Sequence, residues 1–137
     1  MRKSILGVVA GLMVWMAIVT VAGLILRASW PAYASVATAM TFTLPMLLAR
    51  LSIGAVATLA CGLIATLIAP RSMRVRLIAG LILLALFIPQ HILLWPKFPV
   101  WYHLTFLLSL VPLTWAGGTM ASRAPMRGAP TLEQATS

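Results

Sequence analysis

Three side chains within or beside apolar runs could do chemistry in this sequence: Arg50, His91 and His103. An arginine keeps its charge and offers five N–H donors in a planar fork that suits carboxylates and phosphates. Two imidazoles on adjacent helices could bond to headgroups, water or backbone, or ligate haem or a metal. Helical rise puts Arg50 about 7 Å inside its span, His91 about 6 Å and His103 about 5 Å, all from the same side. The three can therefore meet as one polar cluster that binds a quinone or an anionic headgroup. Two outcomes stay open for Arg50: its stem carries the charge out to the headgroups, or it turns inward to an anion. No metal and no cofactor is expected. No carboxylate is at hand as a third ligand, Cys61 lies about 16 Å deeper, and haem ligands belong nearer mid-bilayer.

The elements that hold these residues follow from composition. Of 137 residues, 62% are hydrophobic and 8% charged. A soluble domain carries roughly a quarter charged residues. Ten Lys and Arg stand against one acid, Glu133. The cations sit at the ends of long apolar runs, which fits a lipid bilayer as partner and excludes nucleic acid. The lone Cys61 permits no internal disulfide and reads as a small buried residue.

Four runs are long enough to span, at about 5–26, 45–69, 77–95 and 100–120. The first, at roughly 22 residues, would reach about 33 Å, longer than the apolar core of a cleaved signal peptide. Residues 27–45 are either a short interfacial helix, with Trp30 and Tyr33 at headgroup depth, or an ordered loop. Pro45 suits the first turn of the second span and Pro70 closes it. Pro89 and Pro112 should kink the third and fourth. The prediction is an all-α, four-helix transmembrane bundle over 1–121, with a disordered cytoplasmic tail over 122–137.

The second span carries two stripes of small residues, Gly54, Thr58, Gly62 and Thr66 beside Ala57, Cys61 and Ala65. Small faces let helix backbones approach, and packing drives association in lipid. This span is expected at the centre of the bundle. Basic residues are unequally divided between the two sides. Arg2, Lys3, Arg71, Arg74, Arg76, Arg123 and Arg127 fall on one, and Arg27, Arg50 and Lys97 on the other. That bias places both termini in the cytoplasm.

Several activities are excluded. No acid lies in any span, so a proton-coupled carrier has no carboxylate to work with. In size and layout the chain is similar to the small multidrug-resistance transporters, yet its first span lacks the glutamate that family uses. Ser52 and Ser109 have no base on a shared face, because His103 and Ser109 are six apart. No catalytic residue is assigned and a non-enzymatic role is expected. The segment 91–103 (HILLWPKFPVWYH), with Pro112 and Gly117-Gly118, resembles the C-terminal half of small uncharacterised four-helix proteins of the bacterial inner membrane. The resemblance covers the last third of the spanning region and implies a bacterial plasma membrane. Three functions stay open. The leading one is an accessory or structural component acting by helix contacts, with itself or in a larger complex. The others are an outer-face binding or redox module for quinone, haem or anionic headgroup, and a small oligomeric pore or carrier.

Overall fold

The computed structural model describes residues 1–70 and 72–123, and every regular element among them is helical. Helix α1 spans Arg2–Ser29, α2 Pro31–Val36, α3 Leu44–Ile68, α4 Met73–Leu93 and α5 Val100–Arg123. A single 3-10 turn, Trp95–Lys97, joins α4 to α5. The four long helices are long and apolar enough to cross a bilayer. Their large side chains point outward as often as inward: Met13, Leu24, Leu86 and Leu108 are all more than half exposed. Such a surface suits lipid tails better than water.

Proline steps set the helix ends. A residue before proline is pushed out of the α region by the ring. Trp30, before Pro31, has φ −128° and ψ 89°, and α1 stops at Ser29. Ala69, before Pro70, has φ −125° and ψ 63°, and α3 stops at Ile68. Phe98, before Pro99, is extended and releases the chain into α5. Some boundaries differ from the sequence expectation. The third span ends at Leu93, two residues early, because Leu94 leaves the helical region and Trp95-Pro96 turns instead. The fourth runs to Arg123, past the expected start of the tail at 122. Most of that tail (124–137), with Arg127 and Glu133, lies outside the described residues, as does Arg71. Helical geometry continues through Pro89 and Pro112.

Helix α3 packs against α1 and α5, and less closely against α4. It runs antiparallel to α1, with Gly7 beside Ala65 and Ala69, and Gly11 beside Cys61. It runs parallel to α5, with Gly62 on Thr114 and Gly117 on Leu59. A Cβ on Gly7 or Gly11 would come 2.7 Å from an α3 carbonyl oxygen. The short face of α3 thus brings two neighbours to backbone contact, the close approach that packing in lipid favours. Buried between the helices are Val8, Ala57, Cys61, Ala65, Leu83 and Leu110. One polar link crosses the α1–α3 seam. The Trp15 indole N–H donates to Thr58 Oγ1 at 3.1 Å, and that hydroxyl donates to the Gly54 carbonyl at 2.7 Å. Thr58→Val keeps the shape and removes the hydroxyl, leaving the buried indole N–H without a partner, so it should lower stability by about 1–3 kcal/mol, measured by denaturant titration in micelles.

Candidate ligand-binding site

Arg50 lies in the second turn of α3 and turns into the protein. Its Nη1–H donates to the Tyr33 hydroxyl at 2.7 Å, and its Nε–H reaches the Tyr102 hydroxyl at 3.4 Å. The second bond is long and weak. The guanidinium carbon sits 4.9 Å from the centre of the Phe42 ring, within cation–π range. Helix α2 carries Tyr33 and the first turn of α5 carries Tyr102, and both rings are buried. Tyr33 faces inward, with its ring stacked on Phe42. Two of the five guanidinium donors meet phenols, which are neutral. No carboxylate faces Arg50 among the described residues, since Glu133 is the only acid of the chain.

The short turn between α4 and α5 brings the histidines together. His91 Nδ1 and His103 Nδ1 are 2.7 Å apart, and both rings are buried. His91 stacks on Phe106 at 4.8 Å, and His103 stacks on Trp95 at 4.7 Å. One Nδ1 must donate and the other accept. His103 Nε2 is buried without a partner. A buried bare acceptor is tolerated better than a buried bare N–H. That favours the tautomer in which His103 Nδ1–H donates to His91 Nδ1. His91 then carries its proton on Nε2. The pair as placed is spaced for a hydrogen bond. Two nitrogens sharing a metal at about 2.0–2.1 Å each would stand further apart.

Arg50 and His91 line one cavity of about 320 Å³. That volume falls at the lower end of the range for small-molecule sites. Its floor is Trp15, Phe87 and Phe106, and its far wall is Val19, Gly23 and Leu26 of α1. A Cβ on Gly7 or Gly11 would press on α3, whereas one on Gly23 would have nothing within 4 Å. Tyr33, Tyr102 and the exposed amide of Gln90 complete the polar lining. Both phenols accept from Arg50, which leaves their own protons free to donate. Arg50 and His91 also present N–H groups. The lining is thus rich in donors and suits a ligand with oxygen acceptors on an apolar body.

Of the three residues singled out in the sequence, Arg50 and His91 share this cavity, and His103 stands behind His91. Tyr102 links them, bonded to Arg50 and stacked on His91 at 6.2 Å. Gly54, Thr58, Gly62, Thr66, Ala57, Cys61 and Ala65 are all buried inside the bundle. Residues absent from the sequence reading are Tyr33 and Tyr102 as partners of Arg50, and Phe42, Phe87 and Gln90. The adjacency of Tyr102 to His103 was an available signal; nothing local marks Phe42. Among the described residues no group of three His, Cys, Asp or Glu could hold a metal ion.

The fold and cavity define a class: an all-helical protein with four helices fit to span a membrane and a donor-rich pocket near one end. No protein-family model matches the chain, and neither a curated protein nor a solved structure shows significant similarity to it.

Proposed function

We propose that this is a multi-pass protein of the bacterial inner membrane, with both termini cytoplasmic, that binds a lipid-embedded amphiphile at its outer face. The ligand has an oxygen-acceptor head, either an anionic headgroup or a quinone carbonyl, and an apolar body. The observation that carries this reading is the donor-lined cavity, in which the Arg50 charge meets only neutral phenols and an aromatic face. Even a half-buried cation without a counter-charge is costly, and an anionic head would relieve that cost. The opening beside Gly23 gives an acyl or isoprenoid chain a way in from the lipid. The small faces of α3 meet the chain's own α1 and α5, so the cavity argues more strongly for function than those faces do.

Dodecyl phosphate and a decyl-chain quinone are suitable probes in neutral detergent, followed through quenching of Trp15 and the other tryptophans. Arg50→Gln keeps a polar side chain and removes the charge. It should weaken dodecyl phosphate binding about tenfold, the loss of one charge-assisted contact. A larger loss for the phosphate than for the quinone identifies an anionic head, and equal loss a carbonyl one. If neither probe binds the wild-type protein saturably, the proposal fails.

A further inference from the structure

A second polar site lies at the opposite end of the bundle, where Arg2, Lys3, Arg74 and Arg123 also sit. We propose that Arg76 and Thr66 hold a phosphate oxyanion there, that of an anionic phospholipid. Arg76 is in the first turns of α4 and only 6% exposed, yet its Nε–H has no partner. A guanidinium buried to that degree needs its donors met and its charge balanced. No acid is available among the described residues; the guanidinium carbon lies over the Trp115 ring, 5.6 Å from its centre, a cation–π contact that meets none of the N–H donors.

Thr66 supplies an independent sign. Thr58 and Thr114 each return their hydroxyl to the carbonyl one turn back. Thr66 is as buried, at 2%, but its Oγ1 has no partner at all. It is aimed across the helix seam instead. The absent Cβ of Gly118 is where the two side chains meet. A Cβ there would stand 2.6 Å from Thr66 Oγ1 and 2.6 Å from Arg76 Cγ, and closer still to Arg76 Cδ. Three helices thus contribute to one slot: α3 a hydroxyl, α4 a guanidinium and α5 the room for both.

The start of α4 adds to the field. Its cap residue Ser72 makes no side-chain bond, and its first turn holds no acid. The positive end of the helix dipole is left unanswered, which favours an anion. Exposed Met73, three residues before Arg76 on α4, offers apolar surface beside the slot. That surface suits acyl chains and points to a phospholipid rather than a free ion. A basic end facing the anionic leaflet would also meet this lipid at high local concentration.

The test uses the full chain in neutral micelles, with lipid retention read by native mass spectrometry and thermal stability read in parallel. The probes are phosphatidylglycerol, phosphatidylcholine and inorganic phosphate. Wild-type protein should retain phosphatidylglycerol about tenfold over phosphatidylcholine, and Arg76→Gln should abolish the preference. Thr66→Val should reduce it by a smaller factor. Arg27→Gln makes the same charge change at an exposed position on the other end, and should leave it intact. If Arg76→Gln does not fold, Arg76→Lys with Thr66→Val carries the same expectation of reduced preference. The proposal is overturned if the wild type shows no preference, if the preference survives the Arg76 and Thr66 substitutions, or if inorganic phosphate stabilises while phosphatidylglycerol does not. The last result would assign the slot to a soluble ion. A water bridging Arg76 and Thr66 would give the first.

Discussion

Gly62→Leu is expected to prevent this bundle from forming, and Gly62→Ala to cost about 3 kcal/mol. The reason is the α3–α5 seam. A Cβ on Gly62 would overlap the backbone carbonyl of Thr114, and one on Gly117 would overlap that of Leu59. Backbone atoms cannot rotate aside as a side chain can, so the two helices must separate along their length. Separation also opens the packing of Cys61, Leu83 and Leu110 behind the seam. Gly23→Ala is the matched control, because its Cβ meets nothing within 4 Å. Alanine favours a helix over glycine by about 0.5–1 kcal/mol, so this variant should be neutral or slightly more stable. Circular dichroism across an SDS titration measures all three. An alanine at 62 that unfolds with the wild type would mean that α3 and α5 do not touch there. The effect should fall on folding of the single chain, since both sides of the seam belong to it.

The four long helices were legible because each apolar run reaches the length a bilayer needs, and because Trp30-Pro31 and Ala69-Pro70 mark ends by steric rule. Nearness along the helix axes was legible for Arg50 and His91, which line one cavity. Helical rise alone put Arg50, His91 and His103 near one level. Rotation about each helix axis was not, since a helix that is apolar all round gives no amphipathic signal to say which side faces a neighbour. Nothing in the sequence therefore marks Tyr33 or Tyr102 as a partner of Arg50, and long-range packing turns both onto it. Arg76 stood just outside the third span expected at 77–95, whereas α4 starts at Met73 and buries it. One signal was present in the sequence and unused. Gly7 and Gly11 form the small-xxx-small spacing on the first helix, and they are what lets α1 reach α3.

Removing one imidazole of the His91–His103 pair should cost more than removing both. His103→Leu leaves His91 Nδ1 buried among Phe87, Phe106 and Tyr102 with no partner, a penalty of about 1–3 kcal/mol. His91→Phe leaves His103 with two unmet nitrogens, because its Nε2 already has none, so it should be the worse of the two. The double variant removes donor and acceptor together and puts apolar rings and chains where the stacks with Trp95 and Phe106 already exist. It should recover most of the loss, so the coupling in the cycle should exceed the loss from His91→Phe alone, at about 2–3 kcal/mol. Additive losses in the same SDS titration would show that the two rings do not share a bond. Ligand binding should part company with stability here. The double variant lacks the His91 Nε2–H that the tautomer argument assigns, so its affinity for dodecyl phosphate should stay low even as its stability returns. A double variant that regained both would leave Arg50 as the main anchor of the head and His91 as a packing residue.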